Sequence, residues 1–253
     1  MSRPIGLVSA LRQELAAVLA AMPDEHIQRV AGRDFWVGHW HGHDVVAVLS
    51  RVGKVAAATT TTALLERFGV GRVVFTGVAG GIGQGVRVGD VVLARHLVQH
   101  DMNASPLFPR HEVPLYGRSH FAADAALSAE LAAAAQAVLA QPHHTLGADA
   151  VTEFALSAPQ LHQGLVDSGD RFVSSQTESD ALRQALPDTL AVEMEGAAVA
   201  QVCHDYGVPF AALRTISDRA DDTAHVDFTR FIERVASVYS VAMLSQWLTV
   251  RSP

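Results

Sequence analysis

Residues 190–222 read LAVEMEGAAVAQVCHDYGVPFAALRTISDRADD. The stretch packs the pieces of about one βαβ-like unit. Ala191-Val192-Glu193-Met194-Glu195 is a short run with acids two residues apart. Alternation along an extended chain would put Glu193 and Glu195 on one side and Met194 on the other. Gly196 to Tyr206 is a helix of small residues that stops at Gly207-Val208-Pro209, and Gly and Pro just past the last turn are a stop signal. Phe210 to Ile216 is an apolar strand that runs out into Ser217-Asp218. Arg214, Ser217 and Asp218 thus stand where a buried strand meets a loop, and α/β sheets place their sites at the carboxyl ends of strands. One acid there would be an acid-lined turn. Five polar groups bracketing one apolar unit read as a pocket.

The remainder of the 253 residues supports one large α/β domain over 1–253, because no stretch is rich enough in Pro, Ser or charge to be a hinge and no repeat is visible. Hydrophobic residues make up 49 % and charged residues 18 %, enough for a large core filled mainly by Ala and Val. The net charge of −7 and the lack of a basic run argue against a nucleic-acid partner. Cys203 is the one cysteine, so no internal disulfide asks for an oxidising compartment. Arg12 and Glu14 interrupt the apolar N-terminal run, which does not look like a signal peptide. No window holds eighteen uninterrupted apolar residues, so no membrane span is expected. The chain reads as soluble and cytoplasmic.

Along the chain, Ile5 to Ser9 reads as a buried strand and Leu11 to Ala21 as a helix with Glu14 in its first turn. There an acid either complements the helix dipole or serves a site at the strand end. Arg33 to Leu49 reads as a hairpin. His39, His41 and His43 alternate on it, yet no carboxylate or fourth ligand is evident beside them, so no metal is expected. Ala56 to Phe68 is a helix and Arg72 to Thr76 a strand, followed by the glycine stretch Gly77 to Gly83. Thr76 to Gly83 fits the T-G-x-x-x-G-I-G cofactor loop of short-chain dehydrogenases. Gln84 to Leu93, however, reads as a turn and a strand, not the helix whose N-terminus would take a pyrophosphate. No tyrosine is followed four positions later by Lys. The glycines instead allow a backbone to approach a ligand closely. Val91 to Gln99 is a strand, His100 to Gly117 a long loop, Ala122 to Leu139 a helix, Gln141 to His162 irregular, Gly164 to Val173 a short strand into a turn, and Asp227 to Val250 a closing amphipathic helix.

Together these segments resemble the nucleoside phosphorylase/hydrolase superfamily, most closely its 5′-methylthioadenosine/S-adenosylhomocysteine nucleosidases, over nearly the whole chain. The resemblance rests on Ile5-Gly6 with Glu14, Gly53-Lys54-Val55, Thr76 to Gly81, Ser168 to Phe172, Val192 to Glu195, and Arg214 to Asp218. It implies a three-layer α/β/α fold with a central mixed, partly barrel-like sheet. It implies Asp218 as the acid that protonates adenine N7, oriented by Ser217, and Glu14 as the base that holds the attacking water, with Arg214 positioning water and sugar. Glu195 and Met194 would grip the ribose beside Glu193. Phe172 and Val173 would read adenine, and Val78, Ala79 and Gly80 would line the pocket. Leu107 or Phe108, on the 101–117 loop of a second copy, would cap the 5′-alkylthio group in a homodimer. No metal and no organic cofactor is implied. Val78 stands where these nucleosidases often carry Ser, Arg51 replaces a small residue, and Phe75 occupies a strand position where many purine phosphorylases use a phosphate-binding Arg.

The chemistry asks for such parts on its own account. Breaking an N-glycosidic bond leaves electron density on the base and positive charge on the sugar, so a proton donor belongs at one and a carboxylate near the other. The same residues would serve another 5′-modified adenosine such as 5′-deoxyadenosine or aminodeoxyfutalosine. A purine nucleoside phosphorylase would differ in needing phosphate, and a silent nucleoside-binding protein would have no use for Glu14, Glu195 and Asp218 together.

Overall fold

The computed structural model describes residues 3–156, 158–220 and 228–251. The chain begins with β1 (Ile5–Ser9), α1 (Arg12–Ala20), β2 (His26–Val30), β3 (Arg33–Trp40), β4 (His43–Leu49), α2 (Lys54–Phe68) and β5 (Arg72–Gly81). It continues through β6 (Val91–Gln99), β7 (His120–Ala122), α3 (Ala125–Leu139), α4 (Pro142–Leu146), α5 (Ala148–Glu153), β8 (Leu161–Ser168) and α6 (Gln176–Ala185). Then come β9 (Thr189–Glu193), α7 (Gly196–Tyr206), β10 (Phe210–Asp218), α8 (Phe228–Phe231), a π-helical turn (Ile232–Ala236) and α9 (Ser237–Thr249).

The ten strands of the described residues form one mixed sheet. Five of them, β5-β10-β6-β8-β9, close into a ring because β5 pairs both β10 and β9. The others continue from β5 as an open wing, β1-β4-β3-β2, and β7 adds to β6. Extra residues bend the ring strands where the pairing register shifts, at Ala94/His96, Leu165/Val166 and Ile216/Asp218. Such bulges sharpen the twist and re-aim side chains. β1, parallel to both its neighbours, is buried throughout, as an apolar strand covered on two faces should be. One core gathers α1, α3 and α9 against the sheet, with Tyr239 and Trp247 fully buried. The other packs α2 and α7 against the opposite side. Left-handed Gly69 and Gly207 end α2 and α7 (φ 59° and 62°), where a side chain would be strained.

Several segments depart from expectation. The hairpin is three-stranded, because β2 adds to β3 from Val30↔Arg33 to His26↔Val37. Its histidines go separate ways: His39 to Asp24 and Asp44, His41 to Ser245, and buried His43 to the Leu248 carbonyl. The first five glycine-stretch residues continue β5, since Gly80 and Gly81 pair Val192 and Ala191. Residues 141–162 hold two short helices and the start of β8, and α3 begins at Ala125, capped by the Asp124 side chain on the Leu127 N–H at 2.8 Å. β7 and α6 add to the expected elements. The Asp227 start of the closing helix and the end of the opening stretch, Asp221-Asp222, lie outside the described residues; from Phe228 the helix runs to Thr249 with the π turn inside it.

Asp167 on β8 is fully buried, with Thr189 Oγ1 donating to Oδ2 at 2.8 Å and no hydrogen-bond partner for Oδ1 among the described residues. Burial pushes its carboxyl from the ordinary 3.8 up to about 7. The folded chain therefore holds a proton that the unfolded chain releases at lower pH. That contribution to stability is present below about pH 4 and is lost as pH rises through about 7, by an amount on the order of a few kcal/mol. Asp167→Asn removes the titration. In thermal melts, the melting temperature of the variant minus that of the parent should increase from pH 4.5 to 7.5 and level off above; a constant difference would refute the assignment.

Candidate active site

The site lies where β5 changes partners. β1 pairs β5 from Arg72 to Thr76 and then ends, whereas β9 takes the same strand only from Gly80. Between them Gly77-Val78-Ala79 keeps β10 alone as neighbour. Glu14, in the first turn of α1, fills the fork: Oε1 accepts the Val78 N–H at 3.0 Å, and Oε2 accepts from Leu11 (3.0 Å) and Ala10 (3.2 Å). Burial pushes its carboxyl above the usual range, against these N–H donors and the charge of Arg214. Both readings open for Glu14 have a counterpart in the structure: its carboxylate caps the start of α1 through the Leu11 N–H, and it also lies at the strand end.

Along β5, Gly77 and Gly80 mark two poles. A Cβ at Gly77 would lie 3.0 Å from Glu14 Oε1, and one at Gly80 would lie 3.0 Å from Asp218 Oδ1. Three strand residues span roughly 10 Å, so the two carboxylates stand at opposite ends of one short backbone segment. Asp218 is set by the β10 bulge: Ile216 faces Ala79, Asp218 faces Gly80, and Ser217 is the extra residue. Ser217 Oγ donates to Asp218 Oδ2 at 2.8 Å, and the Ala220 N–H donates to Oδ1 at 2.8 Å.

Glu193 and Glu195 do not share an extended run. β9 ends at Glu193, and Glu195 is the residue that caps α7, its N–H donating to Glu193 Oε2 at 3.1 Å. Glu193 also accepts from the Gly196 N–H at 2.8 and 2.9 Å, from the Ser168 hydroxyl, and from Arg214 Nη2 at 2.8 Å. Ser168 Oγ in turn accepts the Ala197 N–H at 2.7 Å. A carboxylate at a helix N-terminus, with a buried guanidinium opposite, is stabilised by both dipole and charge. Glu195 accepts from the Gly53 N–H at 2.8 Å, and burial, reinforced by Glu193, pushes its carboxyl well above the ordinary range.

These groups enclose a cavity of about 170 Å³. Glu14, Val78, Ala79, Gly80, Phe172, Val173, Glu193, Met194, Glu195, Arg214, Ser217 and Asp218 all line it. Phe108 does not; its loop lies away from the cavity of its own chain, with Leu107 84 % exposed. That loop is nevertheless fixed. Lys54 Nζ pairs with Asp101, Asp101 accepts the Asp170 N–H at 2.9 Å, Asp170 accepts the Lys54 N–H at 2.7 Å, and Tyr116 donates to Asp205 at 2.8 Å. Sequence reasoning assigns no role to Lys54, Asp101, Ser168 or Asp170, although Gly53-Lys54 and Ser168-Gly169-Asp170 are visible as motifs. Val52 and Phe228 also line the mouth, Phe228 edge-on to Phe172 at 6.5 Å between centroids. Arg51 points elsewhere, donating to the Gly32 carbonyl at 2.6 Å. Among the described residues no group of three His, Cys, Asp or Glu could hold a metal, and no helix is long and apolar enough to cross a membrane.

The model of the phosphorylase superfamily matches residues 4–245. A 5′-methylthioadenosine/S-adenosylhomocysteine nucleosidase of Marinomonas sp. (strain MWYL1) is 37 % identical over 245 residues, covering 96 % of this chain and 97 % of the relative. The crystal structure of the nucleosidase of the same name from Neisseria meningitidis, in complex with methylthio-immucillin-A, superimposes with a TM-score of 0.86 at 30 % identity, covering 98 % of this chain and 100 % of that one. The native structure of futalosine hydrolase from Helicobacter pylori strain 26695 gives a TM-score of 0.82 at 32 % identity, covering 97 % of each. With the ring-and-wing sheet and the acids at the β5 fork, these matches show that the chain belongs to the phosphorylase superfamily, in the family of the 5′-methylthioadenosine/S-adenosylhomocysteine nucleosidases.

Proposed function

We propose that the chain hydrolyses the N-glycosidic bond of 5′-methylthioadenosine and S-adenosylhomocysteine, releasing adenine and the thio-sugar. The observation that carries this reading is the pair of anchored carboxylates, Glu14 and Asp218, at opposite ends of Gly77–Gly80. Asp218, oriented by Ser217, protonates N7 as the bond from C1′ to the base breaks and its electron pair moves onto the ring. Glu14 holds a water and takes its proton as the oxygen bonds to C1′. Acid and base standing apart with room for a water is the arrangement of inverting displacement at a sugar carbon. Glu195 and Met194 grip the ribose, and Glu193 acts by holding Arg214, which positions water and sugar. Phe172 stacks on adenine and the Val173 backbone reads its edge. No step calls on a metal or an organic cofactor.

Charge favours water over phosphate as nucleophile. Four carboxyl groups line the cavity against two guanidiniums, and each guanidinium already pairs with a glutamate, Arg214 with Glu193 and Arg171 with Glu178. Phe75, buried behind the site, offers no cation. A phosphate dianion would enter among four carboxyl groups and would compete with a glutamate for either guanidinium. The likeness to futalosine hydrolase supports a second reading on the same residues, a nucleosidase for another 5′-modified nucleoside. We also place the protein in the cytoplasm as a homodimer, with the anchored 101–117 loop of one copy closing the 5′ end of its partner's cavity; the exposed Leu107, Leu115 and Tyr116 on that loop support the contact.

Purified protein should release adenine from methylthioadenosine in phosphate-free buffer, and Asp218→Asn should slow release by about 10²–10⁴-fold. Strict dependence on added phosphate would move the chain to the phosphorylases. Release from futalosine-type nucleosides but not from methylthioadenosine would select the second reading. Phe108→Ala should raise KM for methylthioadenosine about tenfold, the scale of a lost apolar contact. Mixing Phe108→Ala with Asp218→Asn protomers should restore one intact site per mixed dimer and with it low-KM activity. Failure of the mixture to recover would overturn the exchanged loop.

A further inference from the structure

Arg214 is 1 % exposed and, among the described residues, makes one side-chain hydrogen bond, from Nη2 to Glu193. Its Nε and Nη1 have no hydrogen-bond partner among the described residues. A buried guanidinium is ordinarily held by acceptors on more than one edge. Here the second hold is a ring: the guanidinium carbon lies 3.7 Å from the centroid of Phe75. Phe75 is fully buried on β5, paired with Val8 of β1 and Ala212 of β10, and it does not line the cavity. Two residues further along β5, a Cβ at Gly77 would meet Glu14 Oε1 at 3.0 Å and Arg214 Nη1 at 3.3 Å. The guanidinium held by the ring and the carboxylate in the fork therefore converge on one point of the β5 backbone.

We propose that Phe75 is a positioning residue for hydrolysis: its ring is the platform that keeps the Arg214 guanidinium flat, with Nη1 turned toward Glu14 and the sugar end of the cavity. An aromatic face attracts the cation, more strongly in a desolvated site, and it accepts no N–H in the plane of the guanidinium. A hydrogen-bonding side chain at this position would draw Nη1 or Nε away from the cavity. The proposal rests on the reading of Glu14 and Arg214 as the groups that handle water and sugar. The groups facing Glu14 are Arg214 from β10, Glu195 at the start of α7, and the N–H groups of Ala10, Leu11 and Val78. Of these only Arg214 brings positive charge, so loosening it drives the Glu14 carboxyl further up.

The test keeps the shape of Phe75 and changes its electrostatics, by incorporating phenylalanine with one, two or three ring fluorines at position 75, alongside Phe75→Leu. In ligand-free protein the Glu14 carboxyl is titrated by carbon NMR, its signal identified by its loss in Glu14→Gln. Adenine release is measured in parallel. The midpoint of Glu14 should climb with each fluorine and climb furthest in Phe75→Leu. In that variant kcat should fall about tenfold, with KM within about twofold. An unmoved midpoint across the fluorinated series overturns the platform, as does a loss of kcat that tracks the melting temperature instead of fluorine number. If Phe75→Leu does not fold, the fluorinated series decides alone. Should the parent protein release no adenine, the hydrolase reading fails while the titration still judges the hold of Phe75 on Arg214.

Discussion

The hydrogen bond from the Val78 N–H to the Glu14 carboxylate marks the constraint on which the site depends. β5 belongs both to a closed ring and to an open wing, and no single neighbour can follow it along its whole edge. Where β1 lets go and β9 has not yet begun, buried backbone groups lose their ladder partners, and a buried N–H left unpaired is costly. A carboxylate answers that need. It can reach the fork only from the first turn of the helix that follows β1. The same side chain therefore satisfies the backbone and stands in the cavity, so the fork that threatens the sheet is also what makes the site.

The remaining acids show how such a place tolerates charge. Glu193 collects donors from Ser168, Glu195, Gly196 and Arg214, so its negative charge is spread over a helix N-terminus and a guanidinium. Glu195, two residues on, has one backbone donor, Gly53, and sits beside Glu193; it is the carboxyl that gives way, shifting upward. Buried ions are held only while every member of such a network is present, and removing one leaves several kcal/mol uncompensated. The ties of Lys54, Asp101 and Asp170 carry the network outward. They link the start of α2, the 101–117 loop and the segment after β8 that carries Phe172.

How much of this is legible in the sequence depends on the range of the interactions involved. α7 and β10 are legible because small residues, Gly207 and Pro209 act locally. The membership of Arg214, Ser217 and Asp218 in one pocket is legible because α/β sheets place sites at strand ends, whereas Glu14 joins them through the family resemblance. β2 is hidden because it is a short run, HIQRV, almost wholly exposed, and its pairing with β3 is set by the sheet edge. The extension of β5 through Gly81 is hidden because glycine carries no strand signal, and pairing with residues distant in sequence, on β10 and β9, makes it a strand. α6 does leave a readable mark, the S-x-x-E pattern of Ser175 and Glu178: the Ser175 hydroxyl accepts the Glu178 N–H, and the Glu178 carboxylate accepts from the Ser175 hydroxyl and the Ser174 N–H. The split between Glu193 and Glu195 has no such mark, because their spacing suits an extended run as well as a strand end followed by a helix cap.

Chemistry and substrate choice sit on different kinds of structure here. Asp218 and Glu193 end strands, Glu14 and Glu195 begin helices, and each accepts from backbone N–H groups. The mouth is built otherwise. Val52 and Phe172, 53 % and 41 % exposed, stand on connecting segments, and Phe228 opens a short helix. Under the proposed reading the 5′ substituent meets these residues and a loop from the partner. Connecting segments vary without disturbing the elements they join. On that reading a chain of this family can keep the acid, the base and the sugar grip while exchanging the 5′ group it accepts. The likeness of its architecture to both a 5′-methylthioadenosine/S-adenosylhomocysteine nucleosidase and a futalosine hydrolase accords with such an exchange.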